Sequence, residues 1–219
     1  MLAIDTALER CSAAVTEDGR TLATASEAMA RGHQERLGPL VREVMAEAGV
    51  PFSAVDRIGV TVGPGSFTGL RVGLAFAKGL GFALERPVVG IGTLEALAAT
   101  AGGEGTTAAV VDARRGQLWT QLFQGGAPLG EAEALDPNVA AARLAALTGP
   151  LTLVGSGAAL VQAAVPDAVA AEALAPDPTV LARLAGERTS PLPPPRPLYL
   201  RAPDARPSGR EMDAAPPRP

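Results

Sequence analysis

One cysteine, one histidine and one lysine in 219 residues leave this chain short of the side chains on which much enzyme chemistry runs. Cys11 alone cannot close an internal disulfide, which excludes a scaffold stapled by its own cystines. His33 has no second imidazole with which to share a metal ion, so any metal-dependent or histidine-assisted mechanism would have to rest on it alone. Lys78 is the only lysine, the arginines are scattered and the net charge is −4, so the chain is not expected to hold a nucleic acid unaided. Aromatic residues make up 3% of the chain, too few for a platform on which bases could stack. If RNA is involved, another subunit should hold it. The longest apolar run, residues 72 to 84, is broken by Lys78 and falls short of the roughly 20 residues of a membrane span. The N-terminus reaches Asp5 before a signal-like apolar region can form, and the expectation is a cytoplasmic protein without membrane contact.

What the chain does have is apolar residues, 47% of the total, enough for a sizeable core in one large domain or two lobes. Two lobes are expected. "LAIDTA" reads as a short strand, and residues 11 to 27 form two alternating segments around Asp18-Gly19, a hairpin signal. Leu37, Leu40, Val41, Val44, Met45 and Ala48 fall at helical spacing, closed by Gly49 and Pro51. A strand at 57–62, a helix after it, a strand at 87–92 and the helical "TLEALAATA" follow. After "GGEG" at 102–105 the order begins again: strands at 106–115, 116–124 and 127–135, a helix at 137–147, a strand at 151–157 and two alanine-rich helical stretches. The expected division is a first lobe at 1–103, a second at 104–201 and a proline-rich tail at 202–219, with "PLYL" tucked against the body.

The stretch "VTVGPGSFTGLRVGLAFAKGLGFAL", residues 60 to 84, raises the functional question. Gly63, Gly65 and Gly69 give GxGxxxG, one residue too long for a dinucleotide fingerprint, and Gly69 is followed by Leu70 and Arg71 rather than the Lys-Ser/Thr of a nucleotide P-loop. Two readings stay open for the turn: an anion held on free helix N–H groups, or glycines that permit a tight turn with Ser66 or Thr68 as the helix cap. The helix itself carries Gly69, Gly73, Gly79 and Gly81, each costing about 1 kcal/mol relative to alanine, and that loss must be offset by packing. Gly69, Gly73 and Ala77 lie four apart and read as a groove of small residues, covered by another helix from the same chain or from a partner.

Together "LAIDTALERCSAAV", "RGHQERLGPLV", "GVTVGPGSFTGLRVGLAFAKGL", "VVDARRGQLW" and "PLYLR" resemble the bacterial TsaB (YeaZ) family, over nearly everything from Met1 to Arg201. The resemblance implies an α/β, two-lobed duplicated fold of the actin, sugar kinase and Hsp70 (ASKHA) type, with mixed sheets flanked by helices. It also implies a non-catalytic dimerisation subunit of the complex that transfers threonylcarbamoyl to N6 of adenosine 37 in tRNAs reading ANN codons. The implied partners are the catalytic TsaD-type homologue and the TsaE-type ATPase, with a homodimer when alone, tRNA only through the complex, and no cofactor. Carried onto this chain, the pairing surface would comprise His33 and Leu37 on the first helix. From the glycine-rich stretch it would take Gly65, Ser66, Phe67, Thr68, Gly69, Arg71, Val72, Gly73, Phe76 and Ala77. On this reading Gly73→Leu is expected to leave a folded monomer that no longer pairs.

Catalytic equipment looks eroded. Active members of the superfold carry a glycine-containing turn after the first strand's aspartate, whereas Asp5 is followed by Thr6-Ala7, and Asp112 by Ala113-Arg114. Asp5, Asp112, Gly155 and Gly157 are therefore read as a possible vestigial nucleotide site, with capping or turn formation as the competing role for the two aspartates. No catalytic or metal-ligating residue is assigned. An ATP-dependent phosphotransferase or hydrolase of the same superfold is the alternative reading, and a peptidase a more distant one, since Cys11 and Ser66 lack a recognisable catalytic pattern.

Overall fold

A computed structural model describes residues 1–189 and 193–200. The first half forms β1 (Leu2–Asp5), β2 (Arg10–Glu17), β3 (Arg20–Ala28), α1 (His33–Ala48), β4 (Ile58–Gly63), α2 (Phe67–Leu84), β5 (Val88–Gly92) and α3 (Thr93–Ala101). The second half forms β6 (Thr106–Asp112), β7 (Leu118–Gln124), β8 (Ala127–Pro128), β9 (Glu133–Leu135), α4 (Pro137–Ala145), β10 (Leu151–Val154), α5 (Ala158–Val161), β11 (Val169–Ala171) and α6 (Pro178–Glu187). The expected third strand of this half is split into β8 and β9, both paired to β7. Between the two alanine-rich stretches lies β11, which sequence reasoning missed because three residues give no readable periodicity.

The first sheet runs β3-β2-β1-β4-β5 and the second β11-β10-β6-β7-β8. Each has a central strand (β1, β6) antiparallel to the hairpin on one side and parallel to two crossover strands on the other. The repeated order expected from the sequence is thus a repeated topology. Alternation along the strands decides which helix covers which face. Leu2 and Ile4 point to α1 and α2, while Ala3 meets Leu181, Ala182 and Ala185 of α6 and Ala96 of α3. In the second sheet Ala108 and Val110 face α4 and α5, while Ala109 and Val111 face Leu94, Leu97 and Ala98 of α3. Helix α3 therefore sits between both sheets and joins their cores.

The helix α6 comes from the second half of the chain yet packs on the first sheet. Gly59 lets it close in, since a Cβ there would lie 2.8 Å from the Ala185 Cβ. Arg57 then donates to the carbonyls of Ala185, Gly186 and Arg188 at 3.0, 3.1 and 2.8 Å, satisfying the helix end. The division at residues 103 and 104 stays a proposal about sequence units, and the expected tail at 202–219 lies outside the described residues.

Helix α2 starts where Ser66 caps it, its Oγ accepting from the Gly69 N–H at 3.2 Å. It ends where Glu85 turns left-handed at φ 56° and Arg86 N–H donates back to the Gly81 carbonyl at 2.8 Å. At 18 residues and mean hydropathy 1.2 it is long and apolar enough to cross a membrane by length and composition alone. Six of its residues, among them Gly69, Gly73, Ala77 and Gly81, are buried on the chain's own sheet.

That burial corrects the expected groove. A Cβ on Gly69 would fall inside the contact distance of the Thr6 carbonyl, and one on Gly73 would lie 2.5 Å from Thr6 Oγ1. Thr6 Oγ1 also donates to the Gly69 carbonyl at 2.8 Å, so strand end and helix are bonded where they touch. Gly69 and Gly73 are small because Thr6 approaches them, through its carbonyl and its hydroxyl, and all three residues of the expected groove, Ala77 included, are buried within the chain itself. Gly79, by contrast, is exposed and has no atom within 4 Å of an added Cβ. Gly69→Ala should therefore lose about 3 kcal/mol of stability through overpacking against a carbonyl that cannot move aside. Gly79→Ala should gain about 1 kcal/mol from helix propensity. Urea denaturation of the two variants measures both signs.

Candidate functional site

The ends of β1 and β6, the first turn of α2 and the segment 193–200 surround a cleft of about 830 Å³ between the two sheets. Its floor and walls include Leu8, Phe67, Trp119, Leu174, Leu198 and Tyr199. The "PLYL" segment is anchored as expected: the Leu198 N–H donates to the Val62 carbonyl at 2.7 Å, extending beside the end of β4. Tyr199 then stacks on Phe67 with ring centroids 5.2 Å apart, and Arg71 lies 3.7 Å over the Phe67 ring while its Nε donates to Tyr199 Oη at 3.3 Å. Across the mouth, Glu9 after β1 pairs with Arg114 after β6. Neither Tyr199 nor this ion pair was singled out from the sequence, because partners 128 and 105 residues apart leave no local pattern.

The residues expected to form a vestigial nucleotide site do not converge on it as a set. Asp5 is fully buried; its Oδ1 accepts from Thr61 Oγ1 at 2.6 Å and from the Ala7 N–H at 3.0 Å. Burial pushes its carboxyl above the usual carboxylate range, and Oδ2 has no partner among the described residues. Asp112 does line the cleft, but its Oδ1 accepts from the Arg114 N–H at 2.7 Å and holds its own turn, the role weighed against a catalytic one. Gly155 and Gly157 lie beside it for packing reasons: a Cβ on Gly155 would come 2.5 Å from the Val110 carbonyl, and one on Gly157 3.1 Å from the Asp112 nitrogen.

The expected pairing surface is similarly sorted by the structure. His33 is buried, with Nε2 3.2 Å from the Arg10 carbonyl, and Leu37 is a core residue at 1% exposure, so neither faces outward. Gly65 is held against the Ala7 carbonyl and Ser66 is the helix cap. Phe67, Thr68 and Arg71 are exposed, while Val72 and Phe76 are half-buried, Phe76 meeting Gly38 where α1 crosses α2. Further along the outer face come Ala75, Lys78, Gly79 and Phe82, the last 88% exposed, none of which was assigned to the pairing surface from the sequence.

No group of three or more His, Cys, Asp or Glu side chains suited to a metal ion occurs among the described residues. The Cys11 thiol is buried and pushed up to about 11, mainly by desolvation, which leaves it a poor nucleophile.

Comparison with known proteins shows the family. The family described as "TsaD: tRNA N6-adenosine threonylcarbamoyltransferase" matches residues 24–152. The tRNA threonylcarbamoyladenosine biosynthesis protein TsaB of Escherichia coli (strain K12) is 36% identical over 165 residues, 72% of this chain and 71% of that protein. The chain belongs to the TsaB/YeaZ family. The solved structure of YeaZ from Pseudomonas aeruginosa superposes on it with a TM-score of 0.70 at 35% identity, covering 84% of this chain and 89% of that one. A more distant likeness, the ethanolamine utilization protein EutJ of Carboxydothermus hydrogenoformans, has a TM-score of 0.50 at 12% identity, covers 83% of this chain and 88% of that one, and shares the fold alone. The duplicated two-lobed ASKHA fold of the TsaB/YeaZ family is thus the fold of this chain.

In this member of the TsaB/YeaZ family the first-strand aspartate is buried in the core, and desolvation raises its pKa. The unfolded chain releases the Asp5 proton near pH 3.8, whereas the folded chain keeps it to higher pH. The folded state then binds more protons in that interval, so this group's contribution to stability falls as pH rises through it and is flat above the folded value. Asp5→Asn removes the slope. The stability of wild type minus that of Asp5→Asn, from urea titrations between pH 4 and 8, should be greatest at the acid end and decline as pH rises.

Proposed function

We propose that this chain is a non-catalytic pairing subunit for transfer of threonylcarbamoyl to N6 of adenosine 37 in tRNAs reading ANN codons. The observation that carries the reading is that the groups best suited to chemistry are spent on the fold. Asp5 is sealed under Thr61 and Ala7, Asp112 ties its own turn, and His33 is bonded to the Arg10 carbonyl. A TsaD-type catalytic homologue is the proposed partner, supported by kinship between the two kinds of subunit. The tRNA N6-adenosine threonylcarbamoyltransferase of Clostridium novyi is 34% identical over 111 residues, 43% of this chain and 33% of that protein. Two chains of one fold can pair through equivalent helices in a pseudo-twofold arrangement. A TsaE-type ATPase completes the proposed assembly, the isolated chain forms a homodimer through the same face, and the setting is the cytoplasm. The net charge of −4 supports tRNA contact only through the complex.

The face proposed for pairing is the outer side of α2, Arg71, Ala75, Lys78, Gly79 and Phe82. The small side chains of Ala75 and Gly79 leave room for another helix between a cation and an exposed aromatic ring. Overpacking tests this where helix propensity runs the other way. Gly79→Leu should be a folded monomer at least as stable as wild type, yet should neither pair with the transferase subunit nor support tRNA modification by the mixture. Pairing by that variant at wild-type affinity would reject the face.

Separate measurements address catalysis. The chain alone should transfer no threonylcarbamoyl group and should bind tRNA weakly at physiological salt. Asp5→Ala and Asp112→Ala should lower melting temperature more than they lower activity per assembled complex. A large activity loss in a fully assembled Asp112→Ala complex would favour an enzyme of the superfold instead.

A further inference from the structure

We propose that the mouth of the cleft seats an apolar segment of the paired homologous subunit, so that cleft and outer α2 face form one continuous interface. The proposal rests on the pairing described above and adds a second, chemically distinct contact to it. Among the described residues nine large hydrophobic side chains are exposed, and four of them, Phe67, Leu174, Leu198 and Tyr199, line this one cleft. Leu174, between β11 and α6, is 64% exposed, and it belongs to this gathering at one cleft rather than standing alone on the surface.

The polar lining argues against a small anion or nucleotide as the occupant. Glu9 and Arg114 are paired with each other, and Ser156 Oγ already accepts from the Asp112 N–H at 3.1 Å. Arg10 is turned to Ser26, donating from Nε to Oγ at 2.8 Å and from Nη2 to the carbonyl at 3.2 Å. An incoming phosphate would face the carboxylates of Glu9 and Asp112 with the neighbouring guanidinium groups engaged. An uncharged, apolar segment meets no such penalty.

Continuity with the pairing face identifies where the segment comes from. Tyr199 bonds and stacks with Arg71 and Phe67, so the segment 193–200 is locked to the first turn of the helix whose outer side is proposed to pair. From Phe67 to Phe82 the outer face runs about 22 Å at helical rise, long enough for a partner helix whose preceding or following loop reaches the cleft.

The test measures affinity of the full chain for the homologous transferase subunit by calorimetry, with Leu174→Glu, Tyr199→Ala, Gly79→Leu and the control Leu160→Glu, an exposed position away from the cleft. Leu174→Glu and Tyr199→Ala should each raise Kd at least tenfold, with Leu174→Glu and Leu160→Glu melting as wild type does and Leu160→Glu pairing normally. Unchanged affinity in Leu174→Glu, with pairing abolished in Gly79→Leu, would overturn the cleft seat and leave the pairing face standing. Normal pairing in both variants would remove the pairing reading and the seat with it. Loss of self-association in Leu174→Glu with intact heterologous pairing would assign the cleft to a second copy of this chain and overturn the proposal. Saturable binding of ATP to the isolated chain, abolished by Leu174→Glu, would overturn it in favour of a nucleotide.

Discussion

The contact between the Thr6 backbone and the start of α2 is the constraint on which the rest of the arrangement depends. The helix comes so close to the end of β1 that no side chain fits at Gly69 or Gly73, and the Thr6 hydroxyl bonds the Gly69 carbonyl in the gap. This fixes the rotation of α2 about its axis. Once Gly69, Gly73, Ala77 and Gly81 point inward, Arg71, Ala75, Lys78 and Phe82 must point outward. The cost of Gly69, Gly73 and Gly81 is thus offset inside the chain, by close approach to its own sheet, and the exposed face, which carries Gly79, is free to serve association.

The ends of the two central strands bear on the proposed absence of catalysis. In a duplicated sheet the ends of the two central strands meet at the cleft, the natural place for paired carboxylates. Here the β1 carboxylate is covered and bonded by Thr61 and Ala7, while the β6 carboxylate organises the hairpin that carries Arg114. The shared helix α3 joins the two cores with Leu94 and Leu97, and Glu9 with Arg114 links the rims. The cleft between the strand ends carries Leu8, Phe67, Trp119, Leu174, Leu198 and Tyr199 beside the paired Glu9 and Arg114, which suits a protein whose proposed work is to hold another subunit.

Most of the fold was legible in the sequence, because the periodic segments were long. The hairpin at Asp18-Gly19, the helices α1 and α2 and the repetition after residue 105 all have local signals. The rotation of α2 was not read correctly, since small residues mark any close approach and do not say whose backbone is approaching. A signal was available: Arg71 and Lys78, seven apart, share a helix face, and two cations locate the solvent side opposite Gly73. His33 was misplaced for a related reason, because a lone histidine at a helix start is compatible with burial against a carbonyl from a neighbouring hairpin. The cluster of Phe67, Arg71 and Tyr199 was beyond sequence reasoning, being a contact between segments far apart in the chain.

Thiol labelling along α2 tests the central claim most directly, because Cys11 is buried and gives no native background. Single cysteines at Ala75, Ala77 and Gly79 would be exposed to a maleimide reagent, first in the isolated chain held monomeric by dilution and then after saturation with the transferase subunit. The cysteines replacing Ala75 and Gly79 should label rapidly in the monomer and become protected on pairing, while the one replacing Ala77 should stay protected throughout. Rapid labelling at Ala77, or labelling at Ala75 and Gly79 that pairing leaves unchanged, would contradict the assignment of inner and outer faces.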